Sequence, residues 1–150
     1  MNQKTLDALA SSIYVSRLAL AGKVVEDDDQ RLRASGLYED WRSGSFKVGD
    51  IRNTRNEDGT VAQTWECYAD HDNAVYPDIA PDNAAWFTFW RPLHGKTRET
   101  ARPWVKPTHS KDIYLNGEYM IFADGLTYRC IAPDGTDFSP TEYAPFWEVA

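Results

Sequence analysis

Aromatic rings are the side chains whose number and placement point to chemistry here: six Trp, eight Tyr and six Phe in 150 residues. An exposed ring stacks on the apolar C–H face of a cyclic polyhydroxy ligand, while nearby Asp, Asn, Gln or Glu side chains bond its hydroxyls. The titratable groups read differently. His71, His94 and His109 stand far apart, each in a polar loop, where a solvated imidazole is expected. Carboxylates are abundant, and a charge-rich surface pairs them without building a glycosidase cleft. Asp70, Asp72, Asp78 and Asp82 lack the regular every-other-residue ligand loop of a calcium site. Neither Cys67 nor Cys130 has a ligand-spaced second Cys, so each is read as a buried free thiol. No phosphate loop, nucleophile elbow or zinc signature occurs. The expectation is no enzyme: no catalytic residue, no metal and no cofactor.

The rings are distributed as a pattern written twice. The first copy runs Trp41, Val48-Gly49-Asp50-Ile51, Trp65-Glu66-Cys67, Pro77 and Ala84-Ala85-Trp86. The second runs Trp104, Asn116-Gly117-Glu118-Tyr119, Tyr128-Arg129-Cys130, Pro140 and Pro145-Phe146-Trp147. Trp41 and Trp104, Cys67 and Cys130, and Pro77 and Pro140 all stand 63 residues apart. The glycines stand 68 apart and the closing pair Trp86 and Trp147 stands 61 apart, which places the length differences between anchors, in loops. Rare residue types recurring at one spacing indicate a tandem duplication.

The elements that must position these residues follow from period and punctuation. Leu6, Leu9, Ile13 and Leu20 fall on one face of a helix from about Gln3 to Ala21, with Asn2 as N-cap and Gly22 as stop. A shorter helix is expected from Asp28 to Ser35, its acidic run at the positive end. The seam Leu6-Ile13-Leu20 suits self-association, so a homo-oligomer through this helix is expected. From Leu37 onward short β-rich runs alternate with Gly, Asp, Asn and Pro, the mark of small antiparallel sheets. Each copy should fold as a hairpin, turning at Asp58-Gly59 and at Asp124-Gly125, followed by a polar loop and an aromatic closing segment. The fold class is mainly β with an N-terminal α-helical segment. Its parts are a helical segment over 1–36 and two three-stranded antiparallel modules over 37–92 and 93–150.

At the anchors the sequence resembles the small carbohydrate-binding modules of families five and twelve, the chitin-binding type. Copy one carries the resemblance in Trp41, Val48, Gly49, Asp50, Trp65, Cys67, Pro77 and Trp86; copy two in Trp104, Gly117, Glu118, Tyr128, Cys130, Pro140 and Trp147. The second copy departs from the family in having Glu118 where Asp is usual. The layout is also similar to phage and prophage tail-associated proteins, in which a helical region precedes such modules. The resemblance implies compact three-stranded sheets that bind polysaccharide without catalysis. Trp41, Trp86, Trp104 and Trp147, with Cys67 and Cys130, are expected to be structural anchors. Tyr76, Trp90, Tyr143 and Tyr68 are expected to be the rings that meet a cell-surface polysaccharide. The alternative is a purely structural assembly protein of a phage particle without a sugar ligand.

Bulk properties exclude other classes. A net charge of −7 offers no basic face for nucleic acid. No stretch reaches the roughly 20 apolar residues that span a bilayer, and no signal segment opens the chain. A phage virion or the bacterial cytoplasm is the expected location, with other phage structural proteins as further partners.

Overall fold

The computed structural model describes residues 2–76, 80–83 and 88–150, so Pro77, Asp78, Trp86 and Phe87 lie outside the described residues. The protein is mainly β with an N-terminal helical segment, and it divides into two compact units, Met1–Leu93 and His94–Ala150.

In the first unit, α1 (Gln3–Leu20) starts where Asn2 Oδ1 accepts the Thr5 amide at 2.8 Å. It ends before Gly22, whose φ of 72° suits a residue without Cβ. α2 (Asp28–Arg33) opens on a capping box between Asp27 and Gln30 and runs into a 3-10 turn over Ser35–Leu37. The strands are β1 (Ser45–Phe46), β2 (Ile51–Arg55), β3 (Val61–Cys67), β4 (His71–Asp72) and β5 (Trp90–Pro92). They form a three-stranded sheet in the order β2-β3-β5 and a β1-β4 ladder. Both are antiparallel.

The helical segment belongs to this unit rather than standing as a separate body over 1–36. It docks through small and polar residues. Ser11 is 3% exposed; its Oγ donates to the Arg33 carbonyl and accepts the Gly36 amide. A Cβ on Gly36 would stand 2.2 Å from the backbone of Asp7, so only glycine admits the helix this closely. Ion pairs Lys4–Asp40 (3.2 Å) and Asp7–Arg55 (3.1 Å) fix the near side of α1. The apolar face read as a seam for self-association is not buried by this unit: Leu6, Leu9 and Ile13 are about half exposed and Leu20 is 89% exposed.

In the second unit, β6 (Arg102–Pro103), β7 (Tyr119–Ile121), β8 (Thr127–Cys130) and β9 (Trp147–Val149) form one sheet in that order. The last three strands are the expected antiparallel module; β6 adds a short parallel edge. Its core is Tyr114, Met120, Cys130, Ala132 and Trp147.

The duplication is visible bond by bond. Gly49 and Gly117 donate to the carbonyls of Cys67 and Cys130, and those cysteines donate back to Asp50 and Glu118. Both glycines have positive φ, 94° and 88°. The acid after each caps the same turn: Asp50 Oδ2 accepts the Lys47 amide, and Glu118 Oε1 accepts the Leu115 amide. Trp41 donates to the Asn53 carbonyl as Trp104 donates to that of Ile121. The five-residue excess of the first hairpin lies in its arms, where a register shift at Thr54/Arg55 absorbs the odd residue. The tips are alike: Asn56 to Thr60 and Phe122 to Leu126 close with the same two backbone bonds.

Candidate functional site

The closing strands correct one alignment. Cys67 faces Trp90, and Cys130 faces Trp147. Trp90, not Trp86, is therefore the counterpart of Trp147. It is 0% exposed, with Phe46 packed edge-on at 5.0 Å, so it offers no ring face to a ligand. The expectation that Trp90 meets a polysaccharide is overturned by its place opposite the buried Cys67, on the inner face of the sheet. The signal was in the sequence: the dipeptide Phe-Trp occurs at Phe89-Trp90 and again at Phe146-Trp147.

The Phe of that dipeptide is the ring that sequence reasoning missed. In the second module Phe146 packs against Tyr143 with centroids 4.4 Å apart, and Phe138 stands 6.3 Å from Tyr143. Tyr143 is 44% exposed and Phe138 is similar. The loop presenting them is held by polar bonds. Tyr143 N donates to the Ser139 carbonyl at 2.9 Å, and the Trp147 indole N–H donates to the Phe138 carbonyl at 2.8 Å. Lys106 Nζ bonds the Asp137 carbonyl and both Glu142 oxygens and lies 5.6 Å over the Phe138 ring. The Ser139 amide, then Lys106, hold the Glu142 carboxyl below its usual range. Flat rings thus stand beside a cation and a carboxylate on a fixed surface.

The first module places a similar pair. Tyr76, 46% exposed, packs on Phe89 at 5.3 Å. Its N–H donates to the carbonyl four residues back, Asp72, as Tyr143 does to Ser139. Beneath Phe89 lies His71, stacked at 4.4 Å and 16°. Ten more residues separate Tyr76 from Phe89 than Tyr143 from Phe146. Tyr68 is half-buried and its amide donates to the Phe89 carbonyl. So Tyr76 and Tyr143 are the exposed members of equivalent pairs, with Tyr68 beside the first.

Of the expected anchors, Cys67, Cys130 and Trp147 are buried, whereas Trp86 lies outside the described residues. Cys67 and Cys130 are free, buried thiols, and burial pushes both up in pKa. Trp147 is buried; Trp104 is half-buried between Tyr114, Phe122 and Trp147. Trp41 is half-buried without a ring partner among the described residues. Two histidines depart from the solvated expectation. His71 is buried against Phe46, Phe89 and Trp90, and His94 stacks on Tyr114 at 3.8 Å with Nδ1 3.1 Å from Glu118. The longer side chain of Glu118, relative to Asp50, lets it cap its turn and meet His94 with one oxygen. Among the described residues no group of three or more His, Cys, Asp or Glu converges as metal ligands do, and no helix is long and apolar enough to cross a membrane.

No protein-family model matches the chain, and no curated protein matches it.

Proposed function

We propose that this is a non-catalytic phage or prophage tail-associated protein whose two carbohydrate-binding-like modules hold cell-surface polysaccharide through exposed aromatic rings. The observation that carries the reading is the repeated pair, Tyr76 on Phe89 and Tyr143 on Phe146, each an exposed Tyr packed on the Phe that directly precedes the closing Trp. Rings that serve only a core do not need that exposure twice. The buried cysteines and the packed histidines support a binding rather than a catalytic role, because neither presents a nucleophile or base to a cleft. A glycan array followed by retention on insoluble polysaccharide tests it. Retention at millimolar ligand is expected, and no signal at that concentration refutes it.

A second reading has its own observation. The outward face of α1 carries Leu6, Leu9, Ile13 and Leu20, with Arg17 as its one nearby charge, since Lys4 and Asp7 are bound to the module. An apolar helix face with so little charge suits pairing of copies in a particle. Light scattering on the full chain and on Leu9→Glu/Ile13→Glu separates the two. If both are monomers, assembly through α1 is excluded.

A further inference from the structure

The two modules share one backbone scheme, so the closing strand of either has the hydrogen-bonding complement to seat on the hairpin of the other. Cys67 faces Trp90 as Cys130 faces Trp147; the amides after each cysteine, Tyr68 and Ile131, bond Phe89 and Phe146; Leu93 and Ala150 bond Thr64 and Thr127. Nothing in that scheme distinguishes β5 from β9. Side chains do, Leu93 standing where the second module has Ala150 and Pro92 where it has Val149, and one pair does so by charge. Glu66 on β3 faces Arg91 on β5, joined at 2.7 Å. At the matching place Arg129 on β8 faces Glu148 on β9, joined at 2.8 Å. The pair is kept and its sign is reversed.

In the first module the sign has a local cause, because Arg91 also forks onto Asp28 of α2 at 2.8 and 2.9 Å. In the second module the pair is exposed and bonded only to itself, so either sign would serve locally. Its consequence is non-local. Were β9 to seat on β3, Glu148 would oppose Glu66; were β5 to seat on β8, Arg91 would oppose Arg129. Like charges directly opposite across an antiparallel pair are unfavourable, and tandem repeats are prone to exchange of equivalent elements.

We infer that the reversed ion pair is a pairing key: it keeps each closing strand on its own hairpin and excludes strand exchange between modules, within one chain or between two. The two clashes together disfavour exchange by roughly two- to thirtyfold at low salt, and less as salt screens them.

The test is refolding of the full chain from urea, scored by recovery of the wild-type elution profile and near-ultraviolet dichroism. Arg129→Glu/Glu148→Arg keeps an ion pair in the second module but gives it the sign of the first. Recovery is expected to fall several-fold, with misassembled or interlinked species in its place, while the melting temperature of the natively folded fraction stays near wild type. Arg129→Ala/Glu148→Ala, which needs no new pair to fold, should lose recovery by a smaller factor. Arg129→Lys/Glu148→Asp, which keeps the sign, should refold as wild type does. Wild-type recovery should decline with added salt, and that of the sign-swapped variant should not. Refolding of the sign-swapped and alanine variants at wild-type yield overturns the inference, as does wild-type recovery that is indifferent to salt.

Discussion

Where the first module holds Asn53, the second holds Ile121, and the contrast shows how one skeleton was adapted twice. Asn53 is 1% exposed; its amide donates to the carbonyls of Ser35 and Tyr38, and its oxygen accepts from Thr64. It is therefore a polar bolt between sheet and helical segment. Arg55 and Arg91 add two more, onto Asp7 and Asp28. The second module carries no α-helix and fills its interior with rings instead, Tyr114 lying between His94 and Trp104. A buried polar residue here marks a docked neighbour, because burial is tolerated only where each polar atom finds a partner.

The largest effects that sharpen this contrast come from the closing tryptophans. Trp90→Ala and Trp147→Ala should each cost about 3–5 kcal/mol, and each should unfold only its own module. In urea titrations the helical dichroism, which belongs to the first unit, should be lost in the former and kept in the latter. Loss of helix in Trp147→Ala would break the picture of two cores. Gly36→Ala comes next. The added methyl meets backbone, not a flexible side chain, so α1 must lift, at about 3 kcal/mol. Hydrogen exchange should show α1 amides exposed while β2 and β3 stay protected.

The ion pairs rank below. Arg91→Ala leaves Asp28 with Arg31 alone and strands Glu66, all three groups being about four-fifths buried, and should cost about 2 kcal/mol after allowing for that exposure. Arg129→Ala breaks the exposed counterpart and should leave stability near wild type, because solvent screens that pair. Equal losses in thermal melts would erase the distinction. Acid should reveal the same asymmetry. Burial pushes the carboxyls of Asp28 and Asp40 up, but hydrogen bonds and charge from Arg91 and Arg31, and from Arg55 and Lys4, outweigh it and hold both low. A carboxyl depressed in the folded state adds stability above its unfolded value of about 4, and that stability is lost as pH falls through the folded value. The first module should weaken first below about pH 4, and Asp28→Asn should flatten its dependence.

The repeat was legible because its anchors serve the backbone. Gly49 and Gly117 must take positive φ, the acid after each must cap a turn, and the cysteines must be small and buried. Such demands fix residue type and spacing together. The closing tryptophan was misplaced because the insertion between Tyr76 and Phe89 brings a second Trp, Trp86, closer to the expected spacing than Trp90. The side of α1 that docks on its module was illegible for another reason. Periodicity shows that a stripe exists, whereas the choice of buried side was made by Ser11 and Gly36, whose meeting is long-range and leaves no periodic trace. The exposed pairs were half legible: Tyr76 and Tyr143 stood in variable loops, but the Phe beneath each was hidden beside a core tryptophan.

The central claim is that the two exposed pairs hold polysaccharide, and it is tested most directly by retention of Tyr76→Ala, Tyr143→Ala and the double variant on the polysaccharide that binds the wild type. Each ring contributes stacking worth about a factor of three to ten, and two linked modules multiply their effects. The account predicts partial loss in each single variant and near-complete loss in the double, with melting temperatures unchanged. Undiminished retention of a folded double variant would contradict it.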